Sequence, residues 1–299
     1  MTHITTEAPR KTERIRCVCC QEETPDRGGF CMNCEGPLDV TRAVHDRGTP
    51  ARFVSVLGSS GAGKTVYLGV LLDMLSKGSQ SLRGLPNGAF SVAVQQQTIH
   101  SLQSRQFPEK TPTESDAWRW VHCEVSHARR PKRLVDIVTP DFAGEAIALE
   151  TEHENTFPII RSIVSQSEGM LLLFDSHRAR DFSRDEDFFA MKLASYIARV
   201  RGKRWGRRVK KVRSPVAIVY TKADSCPEAM QDPLEFASAT MPGLVQACRR
   251  HFTRHEFFAT GVVGSCVTAV DPYQCTMHIP LHVEPRGVIE PLEWIVQQM

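Results

Sequence analysis

A short apolar run ending at Leu57 is followed by Gly58-Ser59-Ser60-Gly61-Ala62-Gly63-Lys64-Thr65, and nothing else in the chain limits its fold as strongly. The pattern G-x-x-x-x-G-K-[ST] needs a strand before it and a helix after it. Its binding groups are backbone N–H groups turned toward one anionic centre, reinforced by the positive end of a helix dipole. Both flanks are present. Residues 52–57 read as a strand, and Tyr67, Val70, Leu71, Met74 and Leu75 recur at helical spacing across 64–77, with Gly78 as the stop. In this reading Gly58 to Thr65 cradle a nucleoside triphosphate, Lys64 reaches the β- and γ-phosphates, and the Thr65 hydroxyl ligates Mg²⁺. The plain alternative, a glycine-rich turn without a ligand, does not explain the strand, loop and helix context.

The remaining pattern places that loop in an α/β domain. With 299 residues, 41% hydrophobic and 24% charged, the chain can build one large core and a small appendage, and disorder as its overall state is not expected. The longest apolar runs, 170–174 and 216–220, fall well short of the roughly 18 residues of a membrane span. The first 16 residues are polar and lack an apolar signal core, so a cytoplasmic location is expected. Apolar runs alternate with amphipathic stretches: strands over 52–57, 118–125, 133–138, 169–175, 215–220 and 256–263, and helices over 64–77, 146–166, 185–199, 234–254 and 288–298. The gap between the second and third strands is too short for a crossover helix, which predicts a hairpin. The expected fold is a P-loop three-layer α/β sandwich with a mostly parallel six-stranded sheet and one antiparallel edge strand. Residues 79–117 read as an insertion with a short helix near 95–104. The expected organisation is a polar leader at 1–16, a zinc ribbon at 17–38, a tether at 39–50 and the nucleotide domain at 51–299.

A phosphate cradle does not read the base. Thr221-Lys222-Ala223-Asp224 follows the apolar strand 216–220, lies 156 residues beyond Thr65, and fits [NT]-K-x-D. A carboxylate there can accept from the N1–H and N2–H₂ edge of guanine, which adenine lacks, and the Lys222 stem can lie along the base plane. Sites built around such a pairing reject ligands without it by about 10⁴ or more. Asp141-Phe142-Ala143-Gly144, after the strand 133–138, fits D-x-x-G. Asp141 would hold Mg²⁺ through water, and the Gly144 amide would sense the γ-phosphate and move when it leaves.

With these motifs the chain resembles a P-loop GTPase of the translation-factor-related class that includes Ras-like proteins. The run 134–138 with Asp141 to Gly144 and Glu145 is similar to the strand and switch II of that class, with Thr139 and Pro140 extra. Thr260-Gly261-Val262-Val263-Gly264 is similar in position to the fifth motif, whose backbone touches the guanine. Asp-Phe-Ala-Gly-Glu, the Cys-x-x-Cys leader and the ending 285–292 look most like the bacterial double-GTPase 2 family, which is associated with conflict and defence systems. The resemblance implies that Glu145 stands where many members place a water-orienting glutamine. It also implies a switch I threonine, for which Thr111 and Thr113 are both candidates. No arginine finger is identifiable; Arg105, Arg129 and Arg130 are only near in sequence.

Five of the ten cysteines crowd into 17–34. Cys17, Cys20, Cys31 and Cys34 form two Cys-x₂-Cys knuckles ten residues apart, the spacing of one tetrahedral Zn²⁺ with no open position, and so a structural ribbon. Cys19 is a spare thiol or an alternative ligand. A segment this short has no core of its own, and metal would supply its folding energy. The net charge of +3 conceals nine Lys or Arg and no acid in 199–213, leaving 28 basic against 34 acidic residues elsewhere. That stretch reads either as a phosphate-binding surface for nucleic acid or as a solvated, protein-docking helix end. The expected function is a GTP-binding switch that hydrolyses GTP with Lys64, Asp141, Gly144 and Glu145, using GTP/GDP, Mg²⁺ and Zn²⁺, with protein partners at the ribbon and switch regions. The alternatives are a non-hydrolysing nucleotide-held scaffold and an ATP-driven enzyme.

Overall fold

The computed structural model describes residues 14–79, 81–109, 120–140, 144–202, 204–205, 208–270 and 276–299. At the N-terminal end β1 (Arg14–Arg16) and β2 (Glu23–Pro25) pair antiparallel and lead to α1 (Leu38–Arg47). Leu38, Thr41 and Val44 are buried along one face of α1, and Gly48 ends it at φ 70°. The stretch 39–50, expected as a tether, is therefore mostly helix. The next elements are β3 (Phe53–Gly58), α2 (Lys64–Lys77), β4 (Leu82–Asn87), α3 (Gly88–Gln103), β5 (Trp120–His127) and β6 (Arg130–Pro140). Then come α4 (Gly144–Glu152), α5 (Pro158–Gln166), β7 (Gly169–Asp175), α6 (Ser176–Asp181) and α7 (Ser183–Arg201). A two-residue pair, β8 (Arg204–Trp205) and β9 (Arg208–Val209), precedes β10 (Val216–Thr221) and the short helices α8 (Pro227–Gln231), α9 (Pro233–Thr240) and α10 (Pro242–His251). The chain closes with β11 (His255–Ala259), β12 (Gly261–Val270), β13 (Thr276–Arg286) and α11 (Glu290–Gln298).

The central sheet has the order β11-β10-β7-β3-β6-β5-β4. All pairs are parallel except β6 with β5 and β5 with β4. The predicted hairpin is β5–β6, as the short gap required. The sheet has seven strands where six are predicted, and the antiparallel strand lies one place in from the edge. The added edge strand is β4, in the stretch read as an insertion; Gly84 and Pro86 interrupt its apolar pattern, so pairing with β5 rather than local propensity makes it a strand. The helix near 95–104 extends back to Gly88 as the sixteen-residue α3. Two long helices predicted over 146–166 and 234–254 are each divided where a proline starts a new helix, at Pro158 and Pro242. The predicted strand 256–263 is split between β11 and β12, and the antiparallel pair β12–β13 that continues from it lies outside the predicted pattern.

Side chains alternate across the sheet. Phe53 and Leu57 of β3, Met170, Leu172 and Phe174 of β7, and Val216, Ile218 and Tyr220 of β10 enter one core with α4, α5, α7 and α10. Val54, Val56, Leu171, Leu173, Ala217 and Val219 enter the opposite core with α2, α3 and α11. Strands buried on both faces explain why these runs are continuously apolar. Cys17, Cys19, Cys31, Cys34 and Leu38 belong to the first of these cores, so the cysteine segment is packed onto the domain. No helix among the described residues is long and apolar enough to cross a membrane.

Candidate nucleotide site

The loop from β3 into α2 has the geometry its sequence predicts. Gly61 and Gly63 stand at φ 72° and 70°, the left-handed region that glycine adopts without steric cost. Gly63 is the residue before α2, and its side-chain-free position puts no capping group over the helix start. A Cβ on Gly58 would lie 2.4 Å from the Leu173 carbonyl oxygen, which lets the loop sit against β7. Lys64 is buried and folds back along the loop, donating from Nζ to the carbonyls of Gly58 at 3.3 Å and Ser59 at 3.0 Å.

The loop is also held from behind. Ser59 Oγ donates to Glu186 Oε1 of α7. Arg178 of α6 ion-pairs with Glu186 Oε2 at 3.2 Å and donates from Nη1 to the Ser60 carbonyl at 3.1 Å. Burial pushes the Glu186 carboxyl up, and the Ser59 hydrogen bond and the Arg178 charge pull it back. In front, Ser60 Oγ donates to Glu145 Oε1 at 2.6 Å. Gly144 lies so close that a Cβ there would fall 2.0 Å from the Ser60 nitrogen. Gly144 and Glu145 thus touch Ser60, the third residue of the loop.

At the other end of the site β10 delivers Thr221. Its Oγ1 donates to the Ala62 carbonyl at 2.8 Å and lies 3.1 Å from that of Phe174, tying the segment 221–224 to the loop after β3. Lys222 takes a left-handed conformation at φ 58°, and its Nζ donates to Asp175 Oδ2 at 2.5 Å. Its Cε lies 4.0 Å from where a Gly63 Cβ would be, so the lysine stem runs beside the cradle. Asp224 Oδ1 is buried without a hydrogen-bond partner. Burial raises the Asp224 pKa, and backbone N–H groups, including those of Val263 and Val262, act against that rise. A Cβ on Gly261 would lie 2.8 Å from Asp224 Oδ1, so a larger residue there would displace the carboxylate. The Thr260 hydroxyl is buried and likewise unpartnered. One cleft of about 740 Å³, within the range of ligand sites, runs from Lys64 and Thr65 to Asp224 and Thr260.

Comparison with protein families gives a match to the model of Double-GTPase 1 over residues 55–204, half of the chain. The chain belongs to the Double-GTPase 1 family. The class expected from the motifs is therefore found, while the matching family is Double-GTPase 1 where the softer features resembled double-GTPase 2. Comparison with curated proteins gives no match. Among solved structures the chain is similar to the GTPase-like domain of S. cerevisiae Ski7 bound to GDP and inorganic phosphate, at 15% identity and TM-score 0.44, over 86% of this chain and 52% of that one. It is also similar to nucleolar GTP-binding protein 1 of Plasmodium falciparum, at 11% identity and TM-score 0.42, over 84% and 87% of the two chains. A third is the Arl6 small GTPase of Trypanosoma brucei with a nucleotide analogue, at 12% identity and TM-score 0.39, over 83% and 96%.

In this Double-GTPase 1 chain the cleft brings together Ser60, Gly61, Gly63, Lys64, Thr65, Gly144, Glu145, Thr221, Lys222, Asp224 and Thr260. Gly58, Ser59 and Ala62 form the back of the loop, and Gly261 lines a neighbouring hollow of about 400 Å³ behind Asp224. Asp141, Thr111 and Thr113 lie outside the described residues. Of the arginines near in sequence, none lines the cleft among the described residues. Among the described residues Arg178, which the sequence reading missed, reaches the loop through the Ser60 carbonyl. Phe107, Asp175, His177, Asp181 and Cys266 also line the cleft. Asp175 had a local signal, because a carboxylate after an apolar strand can cap the next helix; it accepts from the His177 N–H at 2.9 Å. Phe107 and Cys266 had none, because tertiary packing alone brings them there.

The Sγ atoms of Cys17, Cys20, Cys31 and Cys34 all lie within 4.8 Å of one another, with Cys17–Cys34 and Cys20–Cys31 both at 3.8 Å. Thiolates about 2.3 Å from a tetrahedral Zn²⁺ stand about 3.8 Å apart, so the spacing fits zinc. Cys19 is buried against Gly36 and is outside this group of four. His122, Glu124 and Asp136 also converge, but Arg47 already serves that cluster. It ion-pairs with Asp136 at 2.7 Å and Glu124 at 3.0 Å.

Proposed function

We propose that this chain binds GTP with Mg²⁺ in the 740 Å³ cleft, hydrolyses it to GDP, and serves as a switch. In this reading it works within a bacterial multi-protein system of the conflict or defence type, and its zinc unit recruits a protein partner. The observation that carries the nucleotide reading is that one cleft is lined at one end by the phosphate cradle and at the other by Asp224. A carboxylate there can accept from the N1–H and N2–H₂ edge of guanine, which adenine lacks. The N–H groups of residues 60–65 and the Lys64 ammonium bind the phosphates, with Lys64 exchanging its loop carbonyls for phosphate oxygens. Mg²⁺, held by Thr65 and Asp141, would supply neutralising charge between the β- and γ-phosphates. Gly144 senses the γ-phosphate by its contact with Ser60, and Glu145 positions the attacking water.

One observation favours the scaffold reading as a second possibility. Glu145 is held by the Ser60 hydroxyl at 2.6 Å, and its charge opposes the γ-phosphate where a neutral glutamine would not. Slow or partner-dependent hydrolysis is consistent with both readings. Titration of the purified, zinc-loaded protein with fluorescent GTP, ATP and XTP tests the base assignment. The wild type is expected to prefer GTP over ATP by about 10⁴ or more, and Asp224→Asn to transfer that preference to XTP, whose C2 carbonyl accepts from the asparagine amide. ATP binding as tight as GTP sinks the assignment. Single-turnover release of phosphate separates enzyme from scaffold.

A further inference from the structure

The basic stretch identified in the sequence acquires a second half in the fold. Residues 210–214 run alongside 251–254: Val212 bridges Phe252 in parallel, the Val212 N–H donates to His251 O at 2.8 Å, and the Thr253 N–H donates to Val212 O at 3.0 Å. Val212 and Phe252 are buried, whereas Lys211 and Arg213 on one segment, Arg254 on the other, and Arg249 and Arg250 in the last turn of α10 are exposed. The alternation of an extended segment explains this, since turning Val212 inward turns both of its neighbours outward. Backbone carbonyls fix two of the cations. Lys211 Nζ donates to Arg249 O at 2.6 Å, and Arg254 Nε donates to Arg213 O at 3.0 Å. Among the described residues, none of these five cations has a carboxylate within 4.0 Å.

We propose that Lys211, Arg213, Arg249, Arg250 and Arg254 form a binding surface for the phosphate backbone of a duplex nucleic acid, read without regard to sequence. Four of the five are arginines, whose planar fork matches phosphate oxygens. The apolar residues between them point inward, so the surface offers no hydrophobic centre of the kind a protein interface uses. Nor does it offer the apolar insertion that holds a basic segment stably on a bilayer. Charge alone remains, and charge alone carries non-specific nucleic-acid binding. The neighbouring imidazoles report the local potential: burial and then the Arg250 charge lower the His251 pKa. Burial lowers that of His255, where Lys211 and Arg249 act against the carboxylate of Glu256. The surface lies where β10 and β11 begin, the Val216 N–H donating to Arg254 O at 3.1 Å. The nucleotide cleft lies where β10 ends, about 20 Å away for a six-residue strand, so both ligands can be held at once.

The test is fluorescence anisotropy of a labelled 24-base-pair DNA duplex of arbitrary sequence against the full zinc-loaded chain, repeated over a salt series. Five phosphate contacts give a slope of log K on log salt of about −4.5. Arg249→Gln/Arg250→Gln removes two side chains that make no intramolecular ion pair, so the melting temperature should hold while the slope becomes shallower by about 2. Arg199→Gln is the control, because Arg199 is committed to Glu154 at 2.9 Å; its slope should match the wild type. Saturating GTP should leave duplex affinity unchanged. The assignment is overturned if no duplex binds at 50 mM salt, or if the double variant keeps the wild-type slope. It is also overturned if the variant loses binding to phosphatidylserine vesicles or polyglutamate while the duplex never bound.

Discussion

Asp224 carries its charge where burial disfavors it, and that has a measurable consequence. Its carboxyl is raised above the ordinary aspartate range by burial, with backbone hydrogen bonds acting the other way. A raised folded-state pKa means that the folded chain binds a proton more readily than the unfolded chain. This group therefore contributes stability below its unfolded pKa and loses that contribution as pH rises through the folded pKa. Guanine requires the ionised form, so GTP affinity should fall on acidification at a pH above that of an exposed aspartate, and binding in that window should release a proton. Calorimetry of GTP binding in two buffers of different ionisation enthalpy measures the release, and Asp224→Asn should abolish it. An observed enthalpy independent of buffer in the wild type would contradict the assignment. The tetrad was legible because its chemistry needs particular residues after a strand. The demand on Gly261 and the approach of Arg178 were not, because both depend on partners 37 and 118 positions away.

At the scale of elements, α1 converts an expected tether into a structural strut. Its last residue, Arg47, forms two hydrogen bonds to the fully buried Asp136 of β6, at 2.7 and 3.0 Å, and also pairs with Glu124 of β5. Burial pushes the Asp136 carboxyl up, but hydrogen bonds from His122 and Arg47 prevail and hold it below the usual range. The resulting stability is present above the unfolded aspartate pKa of about 3.9 and is lost as pH falls through the lowered folded value. Arg47→Leu should cost about 3–5 kcal/mol in urea unfolding at pH 7, because it strands a buried carboxylate. The cost should shrink in acid, and Arg47→Leu/Asp136→Asn should be more stable than Arg47→Leu alone. A cost below about 1 kcal/mol at pH 7 would show the cluster to be no stronger than a surface pair. Gly48 and Pro50 pointed toward a tether when read locally; the partners of Arg47 lie 77 and 89 positions away.

For the whole molecule, the four-cysteine segment and the α/β sheet share one core. Cys17, Cys19, Cys31 and Cys34 sit in the same apolar cluster as Ile159, Ile160 and Phe53, and a Cβ on Gly36 would touch both Cys19 and Ile159 at 3.2 Å. Chelation of zinc should therefore lower the melting temperature of the domain as a whole. If only about 3 kcal/mol of the metal's contribution reaches the domain, the shift is roughly 5 °C for a chain of this size. Differential scanning calorimetry with and without a chelator checks this. An unchanged main transition, with a separate small one lost, would mean that the ribbon folds independently.

The sequence by itself determined the glycine loop between β3 and α2, the segment 221–224 at the end of β10, the four clustered cysteines and the alternating order of the central strands and helices. Each rests on short-range rules: a glycine where the dihedral demands it, a fixed spacing of cysteines, a side chain at period 2 or 3.6. Only the tertiary structure decided that β4 extends the sheet, that the tether is a helix locked to Asp136, that Arg178 braces the cradle, and that two distant basic segments form one surface. Those features arise from pairing and packing between residues far apart in the chain. No local pattern encodes them, because the free energy that selects them appears only when the partners meet.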